Sequence, residues 1–356
     1  MSEIENLDDM NLFQRLDAEG MLVHLRKMPE SCQQAWRTAL EFDLPSDYSQ
    51  IEKVIILGMG GSAIGGDLLK SLATAEARVP LLVHRDYDLP AFTDARTLVI
   101  ASSYSGRTEE TLSAFDKALR TPARKLAITT GGDLADIAGQ NGVPVLSIGY
   151  QAPPRAALPF SFLPVLAFLQ RLGFIADKSA DVTEMVSVMR SLSARIKEDV
   201  PLSANPAKRL ATRLYRHLPV VYGGGVLAEV AHRWKTQFNE NAKAWSFYEV
   251  LPELNHNAVV GYHFPQELAP QIAVVLLRSA SLFDRIKLRY DVTCQLLDQA
   301  KVGYEVIDAD GNSPLSQMMS LVLFGDYVSC YLAFLYQIDP SPVAVIDYLK
   351  KKLAEG

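Results

Sequence analysis

Cysteine is scarce in this chain: three in 356 residues, Cys32, Cys294 and Cys330, odd in number and far apart. That usage excludes a disulfide framework and suits reduced thiols in a cytoplasmic compartment. An excess of charge of either sign is also missing, since 35 basic and 41 acidic residues are interspersed and leave a formal net charge of −6. No footprint for nucleic acid or an anionic membrane is present, and small-molecule chemistry becomes the expectation. Uninterrupted apolar runs of membrane length are lacking too. Residues 157–175 carry two prolines with Gln170 and Arg171, and 318–338 are broken by Asp326 and by Ser and Gln, so both are expected to be buried helices. The opening MSEIENLDDM is acidic and has no apolar core, so no secretory signal is expected. His256 and His263 stand seven apart with no cysteine near, so no group has metal-ligand spacing and a chemistry without metal or cofactor is expected.

What is present is enough apolar residue, 49%, to fill two cores, and the length suits two domains. The first fifty residues read as amphipathic helix until Pro45. From Lys53 the rhythm is short apolar run, turn, helix: strands at 53–57, 81–84, 97–101, 125–129 and 143–147, helices near 63–74, 107–120 and 133–139. Such alternation predicts a parallel α/β sheet covered on both faces. Gln151-Ala152-Pro153-Pro154-Arg155 breaks it and marks the expected junction. Helices fill 160–217. Then Val220-Val221-Tyr222, Gly223-Gly224-Gly225 and a helix at 226–240 restart the pattern, and AVVLLRSASLFDRIKLRY echoes LVIASSYSGRTEETLSAF. A duplicated α/β domain follows, the second copy without the hydroxyl turn. Helices near 316–337 and 342–353 close the chain.

Two turns carry the chemistry. GMGGSAIGGD at 58–67 follows the run Val54–Leu57, and Ser103-Tyr104-Ser105-Gly106-Arg107-Thr108 follows Leu98–Ala101. Each closes a strand and opens a helix. A phosphate dianion seeks uncovered backbone N–H groups, short hydroxyl donors and the positive end of a helix dipole, and Gly61, Ser62, Ser103, Ser105 and Thr108 offer them. Gly58, Gly60 and Ala63 also fit the dinucleotide pattern G-x-G-x-x-G/A, with Asp86 where a ribose-binding acid would stand. A dinucleotide has no particular use for the second turn, so a monophosphate is the favoured ligand. The same hydroxyls are also what ordinary N-caps look like.

These residues carry a family likeness. The chain resembles bifunctional phosphoglucose/phosphomannose isomerases, of the sugar isomerase (SIS) domain group, in GMGGSAIGGD, HRDYDLP, SYSGRTEET, Pro154-Arg155, FNENAK at 238–243, LPELNHN at 251–257 and DPSPVAVIDYLKK at 339–351. Arg107 departs from it, standing where the family more often has asparagine. The resemblance implies two doubly wound parallel-sheet SIS domains: a helical segment 1–50, a first domain 51–152 with the phosphate turns, and a second domain 153–356 with the catalytic groups. It implies a homodimer whose active site lies in a cleft between domains and is completed across the subunit interface.

An aldose–ketose isomerase opens a sugar ring, removes the C2 proton, stabilises an enediolate and returns the proton to C1. Glu240, Glu249 and Glu253 are all candidate bases by residue type, and spacing does not rank them. The resemblance selects Glu240 in Asn239-Glu240-Asn241. His256, in Asn255-His256-Asn257 beside Glu253, has neighbours suited to fixing an imidazole tautomer; the resemblance makes it the ring-opening residue, contributed by the partner subunit. Arg155 suits a fixed positive charge beside the enediolate, and Lys350 is matched to a lysine assisting ring opening, although it also reads as part of a solvated charge run. His232 and His263 receive no role. The expected activity interconverts glucose 6-phosphate or mannose 6-phosphate with fructose 6-phosphate through a cis-enediol. Two alternatives stand beside it: a sugar-phosphate-binding regulator without catalysis, and an NAD(P)-dependent dehydrogenase.

Overall fold

A computed structural model describes residues 6–355; the first five residues of the acidic opening stretch lie outside the described residues. By packing, the chain divides into two units. One comprises 27–187 with 313–316, the other 6–26 with 188–312 and 317–355.

The first unit is built on a parallel sheet of β1 (Lys53–Leu57), β2 (Leu81–His84), β3 (Thr97–Ser102), β4 (Arg124–Thr129) and β5 (Val145–Ser147), in the order β2-β1-β3-β4-β5. Alternate residues feed opposite faces. Ile55, Leu57, Val99 and Ala101 pack with Ala114, Phe115, Leu134 and Ala138, which lie on helices Glu109–Leu119 and Gly132–Gln140. On the other face helix Gly60–Ala73 approaches so closely that a Cβ on Gly66 would lie 3.0 Å from Val83 and 3.2 Å from Ile56. Helix Leu158–Arg171 packs on it and on helix Met28–Glu41. The chain's division therefore falls elsewhere than the expected junction at 151–155. The proline-rich break ends the sheet's rhythm, yet the apolar helix after it is buried within the first unit, where Ser161 Oγ donates to the Gly61 carbonyl at 3.2 Å.

The second unit repeats the plan: β6 (Leu218–Gly224), β7 (Phe247–Leu251), β8 (Ile272–Arg278) and β9 (Gly303–Asp308), all parallel, in the order β7-β6-β8-β9. This is the order of the first four strands of the other sheet, which is the topology the repeated motifs predict. The edge strands β7 and β9 escape a sequence reading because FYEVL and GYEVID are half-buried and mixed in polarity, without the apolar run of a central strand. Tyr222, Val274 and Leu276 pack with Tyr290 and Leu297 of helix Asp284–Ala300. Helix Ala228–Glu240 covers the other face, where a Cβ on Gly223 would lie 2.9 Å from Ala231.

The run near 318–338 forms helix Pro314–Leu335, long and apolar enough to span a membrane but buried along its apolar window. The helices of 160–217 are Leu158–Arg171, Ser179–Ile196 and Pro206–Leu214.

Candidate active site

In the first unit β1 and β3 are neighbours with Leu57 opposite Ala101, so the two turns leave the sheet side by side. They are joined: the Tyr104 N–H donates to Ser62 Oγ at 3.2 Å. Ser103 is buried, and its hydroxyl lies 2.8 Å from that of Thr108. Thr108 stands at the N-cap of helix Glu109–Leu119 but makes no side-chain cap bond. The N-cap explanation therefore does not account for its hydroxyl, which faces Ser103 instead. Ser105 is exposed and its Oγ accepts from the Arg107 N–H at 3.3 Å. Gly106 turns with φ +65°, and a Cβ there would fall 1.8 Å from the Gly131 carbonyl oxygen, so glycine is a steric requirement. Arg107 is exposed, its stem running along the next loop, where a Cβ on Gly132 would lie 3.3 Å from Arg107 Cγ. Asp86 is exposed and accepts from the Tyr87 N–H at 2.7 Å, a local turn bond.

Arg155 belongs to this same unit rather than to the second. It is 3% exposed, within the short 3-10 turn Pro154–Ala157. A Cβ on Gly61 would lie 3.2 Å from the Pro154 carbonyl oxygen and 3.4 Å from Arg155 Cα. Gly61 thus permits the arginine's backbone to lie against the glycine turn. Tyr104, overlooked in the sequence, supplies a second tie, because its hydroxyl donates to the Tyr150 carbonyl and accepts from the Ala152 N–H, each at 2.8 Å. The signal was a single aromatic between two serines of the second turn. Six expected residues, Gly61, Ser62, Ser103, Ser105, Thr108 and Arg155, therefore share one unit and one end of its sheet.

The second unit holds the other expected groups. Glu240 is the last residue of helix Ala228–Glu240 and is half-buried. The helix is pinned to helix Pro314–Leu335 inside its own unit. Arg233 Nη2 donates to Asp326 Oδ2 at 2.6 Å, Gln237 Nε2 to Asp326 Oδ1 at 3.1 Å, and Trp234 Nε1 to the Leu321 carbonyl at 2.8 Å. Asn241 is buried and donates to Ser329 Oγ at 2.9 Å, while Asn239 Nδ2 donates to the Ala244 carbonyl at 2.8 Å. The two asparagines fix the backbone on either side of the carboxylate.

His256 ends the 3-10 turn Glu253–His256 and is exposed. The expectation that the polar cluster of Asn255, Asn257 and Glu253 fixes its tautomer is corrected: Glu253 Oε1 accepts from Asn257 Nδ2 at 2.8 Å, and the imidazole makes no hydrogen bond among the described residues. Asn255 holds the other side, donating to Thr293 Oγ1 at 2.9 Å and accepting from Arg289 Nη1 at 3.3 Å. The ring is thus presented outward from an anchored turn. His232 is engaged locally, with Nδ1 2.9 Å from Glu229 Oε2 and its ring stacked on Tyr248. Lys350 lies on helix Ala344–Leu353, which has no buried residue among those described, so the structure leaves the reading of a solvated charge run in place.

Comparison with known proteins follows the same lines. Residues 203–353 match the family described as the bacterial phospho-glucose isomerase C-terminal SIS domain. The chain is 43% identical over 336 residues to a bifunctional phosphoglucose/phosphomannose isomerase of Caldicellulosiruptor bescii, covering 94% of this chain and 99% of that one. It is 35% identical to the protein of the same name from Aquifex aeolicus, over 87% of this chain and 93% of that one. Among solved structures, a hypothetical protein of Thermus thermophilus shares the fold with a TM-score of 0.75 at 18% identity, covering 97% of this chain and 93% of that one.

Proposed function

The chain belongs to the bifunctional phosphoglucose/phosphomannose isomerase family, and we propose that it interconverts glucose 6-phosphate and mannose 6-phosphate with fructose 6-phosphate. The observation that carries the reading is the joined pair of turns with Arg155 packed against Gly61. A phosphate grip packed against the backbone of a buried arginine suits an anionic substrate whose reaction creates a second negative charge.

In this proposal Gly61, Ser62, Ser103, Ser105 and Thr108 hold the phosphate through N–H and O–H donors. His256 and Lys350 open the ring by moving a proton to the ring oxygen. Glu240 takes the C2 proton and returns it to C1, and Arg155 holds the enediolate oxygen. A planar C2 has lost its configuration, so both aldose phosphates pass through one intermediate. Dual specificity then needs room for either C2 hydroxyl and no second apparatus.

The proposal includes a homodimer acting in the cytoplasm, with His256 supplied by the partner subunit. Its support is exposed apolar residues on the second unit: helix Ala344–Leu353 exposes Val345 (82%), Tyr348, Leu349 and Leu353, and Phe264, close in sequence to the His256 turn, is 79% exposed. Large exposed apolar residues of this kind suit a protein interface. The free thiols Cys32, Cys294 and Cys330 agree with a reducing compartment.

Coupled assays with both aldose phosphates, and solvent deuterium exchange into C2 of fructose 6-phosphate, test the activity. Turnover of both sugars that vanishes in Glu240→Gln while sugar-phosphate binding persists is the expected result. Binding without exchange in the unaltered protein would identify a regulator, and tight NAD or NADP binding a dehydrogenase. Mixing Glu240→Gln with His256→Ala tests the shared site. Activity returns if the histidine acts across subunits, because one site of each mixed dimer then has both groups; it stays absent if the histidine acts within its own chain.

A further inference from the structure

Three residues beyond Glu240, Lys243 holds a left-handed backbone with φ +52°. Its ammonium lies within hydrogen-bond distance of four main-chain carbonyls, Glu240 at 2.9 Å, Asn241 at 3.2 Å, Asp339 at 2.9 Å and Pro340 at 2.9 Å, so its three N–H bonds are shared among them. Two of these belong to the end of the base-bearing helix, where carbonyls lose their intrahelical partners and a cation meets the negative end of the dipole. The other two belong to the segment that leads from helix Pro314–Leu335 into helix Ala344–Leu353, the one that carries Lys350. One ammonium therefore ties together the segments that lead to two proposed catalytic groups.

Such a lysine is costly to place. A left-handed conformation suits glycine or asparagine, and a residue with a long side chain keeps it only when the surroundings impose it. Lys243 is exposed, yet its ammonium is turned onto main-chain carbonyls beside the proposed base rather than left to water alone. The bonds of Asn239 and Asn241 fix the turn from the helix side; Lys243 ties it to the segment at 339–340.

We infer that Lys243 is a positioning residue for isomerisation, holding the Glu240 end of its helix in register with the lead-in to the Lys350 helix. The inference rests on the reading of Glu240 as the base. Lys243 touches no reacting atom; it acts by keeping the carboxylate within proton-transfer distance of C2 and C1, where a displacement of about 1 Å costs up to roughly 100-fold in rate. In the proposed function the phosphate is held by Gly61, Ser62, Ser103, Ser105 and Thr108, so phosphate binding is not its task.

The test compares Lys243→Met, Lys243→Gly and Lys243→Arg with the unaltered full-length protein, in fructose 6-phosphate turnover measured per folded molecule. Lys243→Met keeps the stem and removes the ammonium; Lys243→Gly also removes the backbone strain, so a folding defect from φ does not confound it. Expected is a fall in kcat of roughly 10- to 100-fold in both, with KM within about twofold, a parallel loss of C2 deuterium exchange, and partial recovery in Lys243→Arg. A kcat per folded molecule that stays within twofold in Lys243→Gly or Lys243→Met overturns the inference, as does a KM rise that accounts for the loss. An unaltered protein without turnover would instead remove the isomerase reading, and this inference with it.

Discussion

The main-chain N–H of Tyr104 donates to the hydroxyl of Ser62 across two neighbouring strand ends at 3.2 Å, which makes the glycine turn and the hydroxyl turn a single object. Ser62→Ala removes that acceptor and, in the proposed site, one phosphate donor. A KM for fructose 6-phosphate raised about tenfold or more, with inhibition by inorganic phosphate weakened in step, is expected from the loss of one charge-assisted hydrogen bond. Unchanged phosphate inhibition would place the phosphate elsewhere.

Gly61→Ala addresses the contact between the glycine turn and Arg155. The added Cβ meets the Pro154 carbonyl oxygen at 3.2 Å and Arg155 Cα at 3.4 Å, so the arginine's backbone must retreat by a few tenths of an ångström. Steady-state kinetics should show kcat falling roughly tenfold or more, since preorganised charge is sensitive to position, while the thermal midpoint changes little. Gly106→Ala is a harsher change, with a Cβ 1.8 Å from the Gly131 oxygen. Both atoms belong to backbone, so the first unit should lose more than about 4 kcal/mol, read as loss of soluble folded protein.

Asp326 sits among Arg233 and Gln237 with its side chain 1% exposed. Asp326→Ala would leave the guanidinium buried opposite an empty space, at a cost of about 3–5 kcal/mol. Asp326→Asn keeps an acceptor and should cost less. Urea unfolding of the two variants measures the difference, and equal losses would show that the charge carries the whole effect and the retained acceptor offsets nothing.

Alkaline pH should destabilise the fold. Burial, the first cause in each case, raises the phenols of Tyr48, Tyr150, Tyr222, Tyr262, Tyr290, Tyr327 and Tyr331 above their ordinary 10.0, Tyr48 and Tyr327 to about 12. Between pH 10 and 12 the unfolded phenols are ionised while the folded ones keep their protons, so the folded state binds more protons and its stability falls as pH rises. Lys208 has the opposite sign: burial lowers its ammonium below 10.5, against the opposing pull of Asp8, and the unfolded state binds the extra proton. Burial lowers the Lys125 ammonium in the same way, and two lysines do not offset the seven tyrosines. The apparent thermal midpoint should be level through neutrality and decline steadily above about pH 10.

Much of the site was legible because it is local. A strand, a glycine or hydroxyl turn and a helix lie within a dozen residues, and their periodicity and turn chemistry appear directly in GMGGSAIGGD and SYSGRTEET. Residues tied by long-range contacts were not legible. Tyr104 reads as an ordinary aromatic until its hydroxyl is seen between Tyr150 and Ala152. Lys243 is an exposed lysine, and only the structure shows its ammonium reaching the carbonyls of Asp339 and Pro340. Nearness in sequence groups Asn255, Asn257 and Glu253 around His256, but the turn pairs Glu253 with Asn257 and leaves the imidazole outside the cluster.

By itself the sequence determined the two parallel α/β sheets, the glycine and hydroxyl turns and the residue types of the proposed chemistry, because apolar periodicity and turn residues act over short stretches of chain. Only the tertiary structure decided that Arg155 belongs with the glycine and hydroxyl turns and that the helix following it is buried in the first unit. It also decided that the carbonyl ends of two separate segments share the Lys243 ammonium. These depend on which apolar faces find each other and on which carbonyls are left for one cation to reach, and sequence spacing does not encode either.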